Sequence, residues 1–170
     1  MAYLINSCII LASIIVMEGV AWGLHKYILH GLLWYIHEDH HRPRVGAWEK
    51  NDLVAFVFAI PSWLFMMFGI MHGNDFKLYI GIGIAVYGLF YVLFHDGLIH
   101  GRIKVFQNPK SVYLLGCKIG HLAHHQHDKK TDYNKDNDVV WGMLWVPKMY
   151  FKAAREILNK QNSSSQDSSN

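Results

Sequence analysis

The stretch H-K-Y-I-L-H-G-L-L-W-Y-I-H-E-D-H-H occupies residues 25–41, just after an apolar run at 3–22. Its elements recur as H-D-G-L-I-H at 95–100 and H-L-A-H-H at 121–125, after an apolar run at 78–94. Each window reads as HxxxxH followed by HxxHH. Ten of the 12 histidines fall here: His25, His30, His37, His40 and His41, then His95, His100, His121, His124 and His125. On an α-helix, residues i, i+3 and i+4 share a face. His37, His40 and His41 therefore converge, as do His121, His124 and His125. His30 joins the first face if the helix is continuous. Neutral imidazole is a ligand for Fe, Zn, Cu and Ni. Ten are too many for one four- to six-coordinate ion and suit two. Solvated loop histidines do not explain one two-part pattern occurring twice. His72 and His127 lie outside the pattern and read as surface residues.

The rest of the chain is largely apolar. Its 170 residues are 52% hydrophobic and 17% charged, against roughly 25% charged in soluble domains. Mean hydropathy is only +0.10 because polar residues are concentrated in a few places. Spans are predicted at 3–22, at 53–71 with a kink at Pro61, and at 78–94. The third is short but feasible at roughly 25 Å. Its Gly81, Gly83 and Gly88 suit close helix packing. No basic residue precedes the first run and Glu18 sits near its end. A retained span therefore fits better than a cleaved signal peptide. The length and low charge of the other two runs argue against buried helices of a soluble core.

Of the Lys and Arg residues, only Lys77 lies between the second and third runs. The positive-inside rule then places the N-terminus outside and both histidine windows in the cytoplasm, where they can meet in one site. Residues 111–122 are amphipathic and 128–138 form a charged loop. Residues 139–151, interrupted by Pro147, read as an interfacial or re-entrant segment, or as a fourth span. The expected architecture is an all-α integral membrane protein. Three to four transmembrane helices extend into a cytosol-facing, histidine-rich metal site. One domain, 1–160, precedes a disordered Ser-rich tail at 161–170. A net charge of +3 does not imply nucleic acid. Cys8 and Cys117 form no CxxC motif.

Carboxylates beside the histidines are candidates for fixing imidazole tautomers. Glu38 and Asp96 are assigned that role. Glu18 reads equally as a functional carboxylate and as a helix-packing group. His37-Glu38-Asp39-His40-His41 also matches HExxH, with His37 and His41 on zinc and Glu38 as base. That membrane zinc peptidase reading leaves eight clustered histidines idle.

The arrangement resembles the membrane histidine-box oxygenases of the fatty acid hydroxylase superfamily, and within it the bacterial β-carotene hydroxylases. The resemblance rests on H-K-Y-I-L-H-G at 25–31, H-E-D-H-H-R-P-R-V-G-A-W-E-K-N-D-L at 37–53 and Y-G-L-F-Y-V-L-F-H-D-G-L-I-H at 87–100. G-H-L-A-H-H at 120–125 and G-M-L-W-V-P at 142–147 extend it, so that it covers about residues 15 to 150. It implies a non-haem di-iron monooxygenase using O₂, with the ten histidines as metal ligands. Zinc can replace iron in purified protein. Hydroxylation at carbon 3 of each β-ionone ring would convert β-carotene through β-cryptoxanthin to zeaxanthin. Another histidine-box oxygenase or desaturase, acting on fatty acid, sterol or alkane, is the alternative. No dinucleotide, flavin or haem motif occurs, so electrons are expected from a separate protein. The resemblance suggests ferredoxin with its NAD(P)H-dependent reductase. Lys104, Lys110, Lys129 and Lys130 are candidates for meeting an acidic carrier, although positive-inside topology accounts for them too. The absence of a transit-peptide signal points to a bacterial inner membrane.

Overall fold

The computed structural model describes residues 1–43, 46–104, 107–126 and 139–167, and all regular structure among them is helical. His127 and the charged stretch 128–138, with Lys129 and Lys130, lie outside the described residues. The chain divides into two compact units, Met1–Val92 and Leu93–Asn170.

In the first unit, α1 spans Ala2–Gly23 and continues as a π-helical stretch, Leu24–Leu32. Helix α2, Trp34–His37, leads into a 3₁₀ turn, Glu38–His41. A second 3₁₀ turn, Lys50–Val54, opens α3, Ala55–Met71, which accommodates Pro61. Helix α4, Phe76–Tyr91, ends this unit, and the chain passes into the second through a π-helical stretch, Val92–Ile99.

Three helices among the described residues are long and apolar enough to cross a membrane: Ala2–Leu32, Lys50–Met71 and Phe76–Ile99. They contain the three predicted runs. At most 28% of each apolar window is buried by protein. Side chains such as Leu11, Ile15 and Val16 are exposed on the protein surface. An all-round apolar helix with so little protein cover calls for lipid. The first helix has 31 residues, roughly 46 Å against a hydrocarbon core of about 30 Å. Its histidine-bearing end therefore reaches past the core. Helical hydrogen bonding does not stop where the apolar run stops.

Close approach of α3 and α4 depends on glycine. A Cβ at Gly69 would collide with the Leu78 backbone, and one at Gly81 would lie 2.7 Å from Met66 N and 2.8 Å from Ser62 O. The Ser62 hydroxyl donates to Gly81 O at 2.9 Å. At Gly83 the obstacles belong to α1, Ser13 Cβ at 2.5 Å and Ile10 O at 2.8 Å. Gly88 differs from the packing role predicted for it, because nothing lies within 4 Å of its hypothetical Cβ. Gly81→Val should overpack the hairpin and cost about 1–3 kcal/mol. The check is a lowered thermal midpoint in detergent; an unchanged midpoint would dissociate Gly81 from helix packing.

The turn between α3 and α4 contains Gly73 and Asn74 at positive φ, followed by Asp75 as N-cap. Asp75 accepts hydrogen bonds from Lys77 N at 3.0 Å and Lys77 Nζ at 2.6 Å. The Lys77 side-chain bond leads the causes that hold the Asp75 carboxyl below its usual range.

In the second unit, α5 spans Val112–His124 and α6 spans Lys148–Asp167. A Cβ on Gly116 would strike the Phe151 ring, and one on Gly120 would lie 2.8 Å from Val140 Cγ2. Tyr113 stacks on Phe151 and donates to Leu144 O at 2.9 Å. Residues 139–147 form no regular helix, and Val140, Trp141 and Met143 are buried. Among the described residues, no helix here is long and apolar enough to be a fourth span. Helix α6 covers 161–167, which composition predicts to be irregular. The hydroxyls of Ser163 and Ser164 donate back to Lys160 O at 3.0 and 2.7 Å, a local pattern compatible with helix.

Candidate metal centre

The HxxxxH elements form on π-helical turns. On an α-helix, residues five apart point about 140° away from each other. A π turn, with its i→i+5 hydrogen bond, stacks them instead. The His100 amide donates to His95 O at 2.9 Å, such a bond. The His95 and His100 ring centroids are 4.5 Å apart, and those of His25 and His30 are 5.0 Å apart.

In the first unit the chain does not continue as one helix from His30 to His37. Gly31 adopts φ −106°, ψ −106°, and Leu33 adopts φ −102°, ψ 25°. The resulting bend still brings the His30 and His37 rings to 4.9 Å. His37 Nε2 lies 3.0 Å from His25 Nε2 and 3.1 Å from His41 Nε2. One ligand nitrogen each from His25, His30, His37 and His41 lies within 4.8 Å of the others. His30, His37 and His41 are buried.

In the second unit His121 has the equivalent place. Its Nε2 is 3.0 Å from His125 Nε2 and 3.3 Å from His100 Nε2. Ligand nitrogens of His95, His100 and His121 lie within 4.8 Å of one another. His124 packs its ring on Trp141 at 5.0 Å and neighbours His121 at 5.8 Å. Burial, then the neighbouring imidazoles of His95, His125, His100 and His124, hold the His121 pKa well below the usual imidazole range. The ring is therefore neutral near pH 7, as a metal ligand must be.

These distances suit an ion. Nitrogens about 2.1 Å from one centre and 90–109° apart are roughly 3.0–3.4 Å from each other. The Nε2 separations of 3.0–3.3 Å fall in that range. Each histidine cluster has the donors to bind a metal.

Hydrogen bonds at Nδ1 orient the rings of His37, His40 and His95. His37 Nδ1 donates to Asn51 Oδ1 at 2.7 Å, His40 Nδ1 to Glu49 Oε2 at 2.9 Å, and His95 Nδ1 to Asp96 Oδ1 at 2.8 Å. Each bond leaves Nε2 as the donor atom of that ring. Arg102 Nη1 stands 3.8 Å behind Asp96. Glu38, by contrast, is partly exposed and accepts from Arg42 Nη2 at 3.2 Å. Glu49, rather than Glu38, is the carboxylate against His40. The same geometry deprives the HExxH reading of a base facing the cluster.

Sequence proximity did not single out Glu49 and Asn51. They arrive through the turn at Lys50–Val54, where Glu49 and Asp52 form a capping box. The Lys50 amide donates to Asp39 Oδ2 at 2.5 Å, tying that turn back to the histidine segment. The recoverable signal was W-E-K-N-D at 48–52, a capped helix start following H-H-R-P-R.

Elsewhere, Glu18 is buried and accepts from Tyr87 OH at 2.8 Å, joining α1 to α4 within the first unit. His72 is exposed at the opposite end of α3 from Asn51 and donates to Phe68 O at 2.7 Å.

The fatty acid hydroxylase family profile matches residues 10–144. The chain is 43% identical over 122 residues to a protein of Pseudescherichia vulneris named beta-carotene hydroxylase, covering 72% of this chain and 69% of that one. A beta-carotene hydroxylase of Pantoea ananas is 39% identical over 147 residues, covering 86% and 81%. The chloroplastic beta-carotene hydroxylase 2 of Capsicum annuum is 36% identical over 137 residues, 78% of this chain but 42% of the plant protein. No solved structure matches. With its paired histidine windows, three membrane-length helices and a match over most of its length, the chain belongs to the fatty acid hydroxylase family.

Proposed function

We propose that the protein is a β-carotene 3-hydroxylase acting at a non-haem di-iron centre. The observation that carries this is the convergence of imidazole Nε2 atoms, within each unit, at separations suited to metal binding. His25, His30, His37, His40, His41, His95, His100, His121, His124 and His125 are the proposed ligands. Asp96, Glu49 and Asn51 orient three of them. Iron held there supplies the redox chemistry that splits O₂ with two electrons. The balance is R–H + O₂ + 2 e⁻ + 2 H⁺ → R–OH + H₂O. The substrate's ring C–H becomes C–OH and the second oxygen leaves as water. Hydroxylation at carbon 3 of each β-ionone ring takes β-carotene to β-cryptoxanthin and then zeaxanthin.

The chain's own contribution is placement. Buried imidazoles present ring nitrogens, carboxylate and amide partners hold several of the rings, and the spans admit a substrate dissolved in lipid. The Lys and Arg distribution supports an orientation with the N-terminus outside and the histidines facing the cytosol of a bacterial inner membrane protein. Electrons then come from a soluble carrier, ferredoxin with its NAD(P)H-dependent reductase. Expression in a β-carotene-accumulating host tests the substrate. Hydroxylated carotenoids are expected, and unmodified β-carotene alone, with iron-loaded protein present, would overturn the assignment.

The orienting bonds make a separate prediction. Asn51→Ala and Glu49→Gln should each weaken metal retention about 10–100-fold. Chelator competition reads this directly. Wild-type retention in both variants would deny the two residues that role.

A further inference from the structure

Helix α4 contains a glycine that packing does not explain. Gly81 and Gly83 sit where a side chain would collide with α3 or α1. Gly88 lies inside the same helix, where glycine is unfavourable, yet open space surrounds its Cβ position. That space is part of a cavity of about 360 Å³ between α3 and α4. Phe58, Ala59, Trp63, Tyr87 and Tyr91 also line it.

The lining is hydrocarbon in character. Among the hydroxyl-bearing residues at its wall, Ser62 and Tyr87 direct theirs to Gly81 O and Glu18 Oε2, and Tyr91 supplies the third. Trp63 is exposed on the membrane-spanning surface, so the cavity borders lipid there. Its other end includes Val54, in the turn whose Asn51 bonds His37. The space thus runs from a lipid-facing mouth towards the first histidine cluster. Its volume falls within the roughly 300–1,000 Å³ of ligand pockets.

We infer that this groove receives one ring-bearing end of the hydrocarbon substrate, and that Gly88 keeps it wide enough for the ring. The inference rests on the proposed carotene hydroxylation. A trimethylated six-membered ring is broader than an acyl or polyene chain. A side chain at position 88 would project into the space that this breadth requires. Gly88 is thereby a specificity-determining residue, and Ala59 limits the width from the α3 side.

The test uses full-length, iron-loaded protein in detergent, without reductant or O₂, so that binding occurs without turnover. β-Carotene is achiral, and circular dichroism in its visible band reports binding in a chiral site. Gly88→Leu should retain or raise the thermal midpoint and weaken β-carotene binding at least about tenfold. The acyclic polyene lycopene should lose less. Under turnover, KM for β-carotene should rise in parallel. Ala59→Phe should give the same pattern from the opposite wall and serves as the reporter if Gly88→Leu does not fold.

Folded Gly88→Leu and Ala59→Phe proteins with wild-type binding and KM would overturn the inference. Equal losses for both polyenes would overturn the ring-width role, and equal competition by hexadecane would mark a lipid-chain seam instead. If β-carotene binds in a Gly88-dependent way but is never hydroxylated, the groove stands and the proposed reaction fails. If hydroxylation proceeds and is indifferent to both substitutions, only the groove fails.

Discussion

His121→Ala is expected to reduce hydroxylation by more than about 100-fold, beyond the 10–100-fold typical when only a ligand's hydrogen-bonding partner is lost. His121 is the residue around which the second cluster closes, with His125 and His100 nitrogens 3.0 and 3.3 Å from its own. Alanine keeps the last turn of α5 helical. Helix α5 packs on α6 through Tyr113 and Gly116 against Phe151 and through Gly120 against Tyr150, contacts that the substitution leaves in place, so the unit should still fold. The measurement is product per mole of membrane-inserted protein, with carbonate-resistant membrane association as the control. His124→Ala should also lose activity, because its buried ring adjoins His121 and Trp141. Retained activity in either variant would remove that residue from the ligand set.

Metal removal should have an effect of similar size. Purified protein is expected to bind two metal ions per chain and to fall to background activity after chelation. Ferrous iron should restore turnover. Zinc should fill the same imidazole sites without restoring it, because affinity for nitrogen ligands does not confer redox chemistry. The structure makes stoichiometry the sensitive number. Each unit supplies its own set of mutually close ligand nitrogens, at His25, His30, His37 and His41 and at His95, His100 and His121. One zinc per chain, with a peptidase activity abolished by Glu38→Gln, would instead support the HExxH reading. Glu38 is poorly placed for that, paired as it is with Arg42 on a partly exposed surface.

The spans were legible because bilayer-length apolar runs have a strong composition signal. The HxxHH elements were legible because i, i+3 and i+4 spacing maps onto one helical face. The HxxxxH spacing carried less obvious information. Five residues do not stack on an α-helix, and the π turns at Leu24–Leu32 and Val92–Ile99 had to form before those pairs converged. Adjacency was an uneven guide to the partners of the histidines. Asp96 bonds its neighbour His95, whereas Glu38 turns to Arg42. Glu49 and Asn51 reach His40 and His37 from nine and fourteen residues away, through a turn that local pattern did not connect to the site. Gly88 looked equivalent to Gly81 and Gly83 in sequence, and only the space around it distinguishes them. Serine content likewise understated α6, whose hydroxyls bond within the helix.

The proposed hydroxylation requires O₂ and metal held by the histidines. It is tested most directly by turnover of β-carotene under ¹⁸O₂ with iron-loaded protein, reductase and ferredoxin, followed by mass analysis of the product. One ¹⁸O is expected in every hydroxyl group formed, with no product when O₂ is withheld or zinc replaces iron. Hydroxyl oxygen derived from water, or undiminished product without O₂ or iron, would contradict it.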